Sequence, residues 1–377
     1  MTLKSDTIVH SRYRIIEQVG RGGQGAVFKA YDSRLQATVA LKQSLNKEPK
    51  FVSSFAQEAH ILANLRHPYL PRVIDHFEEP SGFYLVMEFI DGEDFDSLLA
   101  SNRGIFTLHN VMCWADQILD ALEYLHTRTP PILHRDIKPQ NLKTDPEGDI
   151  ILLDFGLAKG FASLEKLQEV ENFGFSFQYA SLEQLQGNAT TQNDLYSLGV
   201  TLYHLLSGTT PVDVLSRYTL LQGGQADPLL PLAELSKHVP TPLSDLISQA
   251  TAIDAQDRPA SATAMRDILL DVTNQYFIQN FLRRFSTALR EGYSVKQIFE
   301  EFSTTSPAPL ANEIRQILAE LQNGIPLPKA LDNWLTRMPG ENLNIIIATV
   351  NAQFDIGGNL ADKLDLIEHI LGKRKRL

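Results

Sequence analysis

Between positions 134 and 141 the chain reads His134-Arg135-Asp136-Ile137-Lys138-Pro139-Gln140-Asn141, and Asp154-Phe155-Gly156 follows shortly after. Two carboxylates, one amide and one ammonium therefore fall within a short loop and the strand-turn beyond it. A hard divalent cation takes oxygen ligands, and Asn141 and Asp154 offer them. Asp136 remains to accept a proton from a hydroxyl, and Lys138 to neutralise phosphate charge. This set suits the alignment of a hydroxyl with a metal-held phosphate, chemistry in which positioning and charge stabilisation carry most of the acceleration.

Groups spread this far along a chain act together only if the elements around them are built to converge. Residues 13–43 read as three strands: Tyr13–Val19 alternates, Ala26–Tyr31 resumes, and Ala37–Gln43 follows a turn at Asp32–Arg34. Gly20, Gly22 and Gly25 interrupt the first pair, where backbone N–H groups can approach phosphate oxygens without a Cβ in the way. A glycine-rich hairpin with no ligand is the plainer reading of that run. Its place between two strands, not at the head of a helix, argues against a dinucleotide fold. Val27 follows at the position that the pattern G-x-G-x-x-G-x-V requires. Val39-Ala40-Leu41-Lys42 matches the strand pattern V-A-I-K, whose lysine meets nucleotide phosphates; otherwise Lys42 is a snorkelling edge residue. The next segment, Phe51–Leu65, places Phe55, Ala59, Leu62 and Leu65 on one helical face beside Glu58, and His67-Pro68 stops it. Val73–Phe77 and Phe83–Phe89, with a hairpin turn over Glu78–Gly82, complete an antiparallel sheet of five strands.

The loop H-R-D-x-K-x-x-N and the D-F-G triplet resemble those of eukaryotic-like serine/threonine protein kinases. The resemblance covers roughly the first three quarters of the chain and implies an α+β, bilobal fold: a five-stranded antiparallel N-lobe with one helix, residues 13–90, and a mainly helical C-lobe, residues 91–275. Residues 1–12 form an N-terminal tail. The cofactors implied are ATP and Mg²⁺, with Asn141 and Asp154 as metal ligands. Glu58 is implied as the ion partner of Lys42, and Met87 as the gatekeeper. The backbone of Glu88 to Ile90 would hydrogen-bond adenine, with Val27, Ala40 and Met87 walling the pocket. Lys143 departs from the pattern, because the family carries an apolar side chain two residues after the catalytic-loop Asn.

From Phe95 onward the chain turns helical, with Thr107 capping Leu108–His126 and Ile150–Leu153 as a short buried strand that delivers Asp154. His134 and Phe155 read as core aromatics; by resemblance they join Leu62 in an apolar column that reports an active arrangement. Residues 156–183 resemble an activation segment ending Tyr179-Ala180-Ser181-Leu182-Glu183, where the family writes Y-x-A-P-E. Glu183 is expected to pair with Arg258. Lys138, two residues after Asp136, resembles serine/threonine rather than tyrosine kinases, and Ser176 stands where such enzymes keep a threonine. With Ser163 and Ser176 as the segment's hydroxyls before Tyr179, at most weak dependence on autophosphorylation is expected; Arg135 could receive such a phosphate. Thr191-x-x-Asp194 opens an apolar helix over 195–206, closed by Gly208. Asp194 reads either as a helix-start carboxylate or, by resemblance, as a hydrogen-bond acceptor beneath the catalytic loop.

The rest of the composition bounds the partners. The 377 residues carry 34 Lys plus Arg against 45 Asp plus Glu, a net charge of −11 that disfavours a nucleic-acid partner. One cysteine, Cys113, precludes an internal disulfide and fits a reducing cytoplasm; on an apolar helical pattern it reads as a buried small residue. No stretch is long and apolar enough for a membrane span, and the N-terminus lacks the apolar core of a secretory signal. Residues 276–377 read as an all-α bundle of about six amphipathic helices without a second active site. There, Gly324–Leu331 and Gly357–Leu364 resemble the cytoplasmic domain of type II secretion F-type proteins. In that family, spans follow the domain, and Lys373–Arg376 stand where a positive-inside flank would sit. Either spans follow in a longer chain, with the domain then at the inner face of the membrane, or this region is a soluble protein-binding module. The reading that unites these features is an ATP-dependent kinase acting on Ser or Thr of proteins. Its alternatives are a pseudokinase scaffold working through the C-terminal bundle and a small-molecule phosphotransferase. Lys42, Asp136, Asn141 and Asp154 all stand, which weighs against the scaffold.

Overall fold

The computed structural model describes residues 3–22, 25–45, 59, 61–101, 106–154, 177–305 and 308–337, with residues 344, 347, 348, 351 and 364 beyond them. It divides into two compact units, Met1–Leu269 and Leu270–Leu377.

The first unit opens with an antiparallel sheet of strands β1 (Ile8–Val9), β2 (Tyr13–Gly22), β3 (Gly25–Asp32), β4 (Ala37–Ser44), β5 (Val73–Glu79) and β6 (Gly82–Glu88). Their order is β1-β2-β3-β4-β6-β5, six strands where the sequence suggests five. The additional strand lies inside the expected N-terminal tail: Ile8 and Val9 pair with Arg14 and Tyr13. Its turn uses His10 and Ser11 at φ 54° and 49°, so no glycine or asparagine announces it. Val9 is buried under the sheet together with Tyr13 and Ile15.

Register explains how this sheet divides its labour. Val27 lies opposite Lys42, Lys29 opposite Ala40, Ala40 opposite Met87 and Lys42 opposite Leu85. Because strand side chains alternate between faces, Val27, Lys29, Ala40, Lys42, Leu85 and Met87 share one face. Phe28, Leu41, Tyr84 and Val86 occupy the other and form a core cluster. Glycine at position 25 is a packing requirement, since a Cβ there would stand 1.8 Å from the Gln43 carbonyl oxygen.

Helix α1 (Phe95–Ala100) is capped by Asp94, and helix α2 (Leu108–His126) by Thr107, as its spacing implied. The buried stripe of α2 includes Val111, Ile118, Leu122 and Leu125. Its polar residues hold the hairpin of β7 (Leu142–Thr144) and β8 (Ile150–Leu152): Trp114 donates to the Gly148 carbonyl at 3.1 Å, and Gln117 accepts from the Ile150 amide at 2.9 Å. Helices α3 (Leu182–Leu185) and α4 (Thr191–Ser207) follow, then α5 (Val214–Gln222), α6 (Leu232–Leu235) and α7 (Thr241–Ala250). Along α4, every residue from Asn193 to Leu206 is buried, so this helix is the C-lobe's axis. Gly208, at φ 66°, ends it in the left-handed conformation that glycine adopts without strain. Thr190 caps it in a capping box, with the Asn193 side chain accepting from the Thr190 amide in return, which leaves Asp194 to turn inward.

Helix α8 (Ala262–Arg290) runs past residue 269 and supplies the second unit's first residues. There, α9 (Val295–Thr305), α10 (Ala308–Gln322) and α11 (Leu327–Arg337) close on Phe281, Phe285, Phe299, Phe302 and Trp334. Phe281 meets Phe302 and Trp334 edge-on at centroid distances of 5.2 and 5.8 Å, the geometry that aromatic quadrupoles favour. The remaining segments of the expected bundle, including Gly357–Leu364 and Lys373–Arg376, lie for the most part outside the described residues. Among the described residues, no helix is long and apolar enough to cross a membrane.

Cys113 faces the half-buried side of α2, where burial and the nearby Asp116 and Asp149 push its thiol pKa up to about 11. A thiol-specific reagent at pH 8 should label the native chain roughly 100-fold more slowly than the urea-unfolded chain, because so little thiolate forms. Equal labelling rates in the two states would contradict this.

Candidate active site

The loop that bears the chemistry is held from below by one buried carboxylate. Asp194 is fully buried on the first turn of α4. Its Oδ2 accepts from the His134 amide and its Oδ1 from the Arg135 amide, both at 2.8 Å, while His126 Nε2 lies 2.9 Å from Oδ2. Burial by itself raises a carboxyl's pKa; here the His126 hydrogen bond and the Arg135 amide outweigh it, and Asp194 titrates below the ordinary carboxylate range. His134 is buried as well, and burial lowers its pKa, so the ring is neutral at pH 7. Arg135 takes φ 65°, a left-handed conformation that a non-glycine residue keeps only when its surroundings hold it. The Gln184 side chain, donating to the Arg135 carbonyl at 2.9 Å, is a further restraint.

Above this support the polar groups converge. Lys138 Nζ lies 3.2 Å from Asp136 Oδ1. Asn141 Nδ2 donates to the Asp136 backbone carbonyl at 2.7 Å and to its Oδ2 at 2.9 Å. With the nitrogen directed at Asp136, the Asn141 carbonyl oxygen is the atom that this side chain can offer a cation. Asn141 is tied in turn to the strand-turn, because the Leu153 amide donates to its backbone carbonyl at 2.8 Å. Asp154 follows Leu153 at φ 55°, again left-handed. Across the cleft, Lys42 Nζ stands 3.1 Å from Asp154 Oδ1. A single carboxylate and an amide oxygen form no all-protein cage, but they fit Mg²⁺, which keeps waters and substrate phosphates among its ligands.

The sheet face described above supplies the apolar side of the cleft. Val27, Ala40 and Met87 occupy adjacent register positions, with Gly20 opposite Val27 and Gly22 opposite Gly25. The Glu88 amide donates to the Arg72 carbonyl at 2.9 Å, which leaves Glu88 its carbonyl as the group to offer a ligand. Lys143 does not point its charge into an apolar floor. Its ammonium donates to the carbonyls of Ile90 at 3.2 Å and Gly92 at 2.7 Å. Burial lowers its pKa, against the opposing pull of Asp94 and Asp91.

A protein kinase domain model matches residues 13–270. The chain belongs to the protein kinase family. A second model, that of type II secretion system protein F, matches residues 281–377, in agreement with the resemblance of the C-terminal segments. Among its relatives, a probable serine/threonine-protein kinase PknB of Lactococcus lactis is 32% identical over 270 residues, which is 70% of this chain and 42% of that protein. The serine/threonine-protein kinase PknL of Mycobacterium tuberculosis is 32% identical over 279 residues, 73% of this chain and 69% of the relative. The chain thus spans less than half the length of several such relatives. Among solved structures, the apo form of PpkA-294 superposes with a TM-score of 0.58 at 26% identity, over 71% of this chain and 99% of that one. The PknI kinase domain of Mycobacterium tuberculosis, at 23% identity and a TM-score of 0.56 over 72% and 99%, shares the fold.

Within the kinase domain, the end of the activation segment is anchored despite its departure from the family pattern. Glu183 meets Arg258 through both carboxylate oxygens, with Nη2 to Oε2 at 3.1 Å. Arg258 is buried, stacks 4.8 Å from the Tyr196 ring centroid and donates to the Ala252 and Ile253 carbonyls. The buried Ser181 hydroxyl accepts from Asn193, whose amide also reaches Glu183 at 3.1 Å. Tyr179 is held by Ser197 donating to its carbonyl at 2.7 Å and by its own hydroxyl against His204. Reading the sequence missed Asn193, Gln184 and His126, because an amide or imidazole that satisfies a neighbour carries no spacing signal. Glu58, Phe155, Ser163 and Ser176 lie outside the described residues, so the Lys42–Glu58 pairing and the segment's phosphoacceptors have no geometry here.

Asp194→Ala should lower the unfolding free energy of the first unit by about 3–5 kcal/mol at pH 7, because it leaves two loop amides and His126 without their shared acceptor. A depressed carboxyl contributes fully above its unfolded pKa, roughly 4, and loses that contribution as pH falls through its folded value. The gap between wild type and variant should therefore narrow below about pH 4. Urea unfolding followed by Trp114 fluorescence in a Trp334→Phe background measures this. A gap below about 1 kcal/mol at pH 7 would contradict it.

Proposed function

We propose that this chain is a serine/threonine protein kinase that transfers the γ-phosphoryl group of ATP to Ser or Thr hydroxyls of protein substrates. In this reading residues 13–275 form the catalytic domain, and residues 276–377 a helical module that binds a protein partner; the chain works in the reducing cytoplasm. The observation that carries the proposal is the 3.1 Å approach of Lys42 to Asp154 across a cleft whose floor holds Asp136, Lys138 and Asn141 in mutual contact. A strand lysine, a metal-type carboxylate and a base-type carboxylate meet there, although 112 positions of sequence separate Lys42 from Asp154.

Each residue then has a task. Lys42 neutralises the phosphates nearest the nucleoside, and the backbone of Gly20, Gly22 and Gly25 covers them and excludes water. Asp154 and the Asn141 carbonyl oxygen would hold Mg²⁺, which would supply charge neutralisation at the phosphate oxygens. Asp136 orients the attacking hydroxyl and accepts its proton, and Lys138 beside it balances the charge on the transferred group. The Glu183–Arg258 pair, together with the length of sequence between the Asp154-Phe155-Gly156 triplet and Glu183, favours a protein substrate over a small molecule. Lys138 at two residues beyond Asp136, together with the names of the relatives, supports Ser or Thr as acceptor.

Incubation with labelled Mg-ATP and a generic basic protein should give phosphoserine or phosphothreonine. Asp136→Asn should fold, bind Mg-ATP and turn over about 10²–10⁴-fold more slowly, the usual worth of a general base. Phosphotyrosine as the product, or undiminished turnover in Asp136→Asn, would contradict the assignment.

A further inference from the structure

Asp136 hangs from a backbone that is held on both sides. The peptide after it is fixed by Asn141, whose Nδ2 donates to the Asp136 carbonyl at 2.7 Å. The peptide before it is fixed from a different element, because Gln184 Nε2 donates to the Arg135 carbonyl at 2.9 Å. One step further back, the Arg135 amide donates to Asp194 Oδ1 at 2.8 Å. The N–H and the C=O of Arg135 are thus both tied, and between them the residue keeps φ 65°, a conformation that persists only under restraint. Releasing the carbonyl would let the 135–136 peptide turn, and the Asp136 side chain with it.

The chemistry of Gln184 shows that packing alone does not account for it. It sits on α3 next to Glu183, whose carboxylate is bound to Arg258, so one helical turn serves both the segment's anchor and the loop. A side-chain amide carries an acceptor as well as a donor. Gln184 Oε1 is buried and finds no hydrogen-bond partner among the described residues. A buried acceptor left unmet is destabilising, and an apolar side chain of the same length would avoid that penalty. Such a chain could not donate to the Arg135 carbonyl. What Gln184 adds to this position is therefore the geometry of the loop.

Resting on the kinase reading of this cleft, we propose that Gln184 is a positioning residue for phosphoryl transfer: by holding the Arg135–Asp136 peptide it sets the direction of the Asp136 carboxylate toward the attacking hydroxyl. Its effect falls on turnover and not on nucleotide binding, since Asn141 and Asp154 are held separately, through the Leu153 amide.

Turnover of a generic basic protein and the Kd for ADP with Mg²⁺ are measured on the full chain. Gln184→Met keeps the length and removes the donor. It should lower kcat about 10–100-fold, the order of loss that a misplacement of about 1 Å at a reacting group brings. KM for ATP and the ADP Kd should move by less than about threefold, and the thermal midpoint by less than about 3 °C. In an Asp136→Asn background, Gln184→Met should lower kcat by less than about twofold, because a residue that acts through the Asp136 carboxylate then has nothing left to position. Gln184→Leu takes the place of the Met variant if that one is unfolded at the assay temperature. Wild-type kcat in Gln184→Met, or a fall in the Asp136→Asn background as large as in the single variant, would overturn the proposal and leave the kinase reading standing. No phosphoryl transfer by wild type, or undiminished turnover in Asp136→Asn, would overturn both.

Discussion

A carboxylate removed from water must find hydrogen-bond donors, and Asp194 finds them in the backbone of the catalytic loop. That requirement organises the C-lobe. The helix that carries Asp194 is buried over most of its length, so its first turn is a fixed point, and the loop above it takes its shape from two amides pinned to one side chain. Removing the charge would leave those amides unpaired in a buried region. A buried anion of this kind stabilises less than an apolar replacement of similar shape could, but it specifies one loop conformation. The left-handed backbone at Arg135 and Asp154 is the strain that such specification allows.

From that fixed point the remaining geometry follows by short steps. The loop's far end is tied through Asn141 to Leu153, which delivers Asp154 beside Lys42. On the other side, Gln184 ties Arg135 to the segment whose end Glu183 and Arg258 secure. Ser181 and Leu182 stand where the family writes Ala and Pro, yet the Ser181 hydroxyl gains a bond to Asn193, so the anchor exchanges a rigid ring for a hydrogen-bond network. The N-lobe contributes through register alone. A period-two face brings Val27, Ala40, Lys42 and Met87 together, and its opposite face supplies the core that keeps them there.

Much of this was legible in the sequence because the chemistry needs residue types at fixed spacing. Asp136, Asn141 and Asp154 announce themselves, and so does Lys42 at the end of an apolar strand. Glu183 and Arg258 were also legible, as one expected ion pair. Other features were not. The strand at Ile8–Val9 is too short to alternate, and its turn uses His10 and Ser11 instead of glycine. Lys143 reads as a polar intrusion into an apolar pocket; only three-dimensional placement shows its ammonium spent on two backbone carbonyls. Asn193 carries no signal in the sequence, because two adjacent polar residues at a helix start give no sign of which one completes a capping box with Thr190 and which one turns inward.

The proposed function requires that Lys42, Asp154, Asn141 and Asp136 frame a single metal–nucleotide site. The most direct measurement is the affinity for ADP with Mg²⁺ and with EDTA, in wild type and in Asp154→Asn. Wild type should bind at least about tenfold more tightly with Mg²⁺, and Asp154→Asn should lose that dependence while staying folded. The same Mg²⁺ dependence in both proteins would mean that Asp154 holds no metal, and the site described here would be wrong.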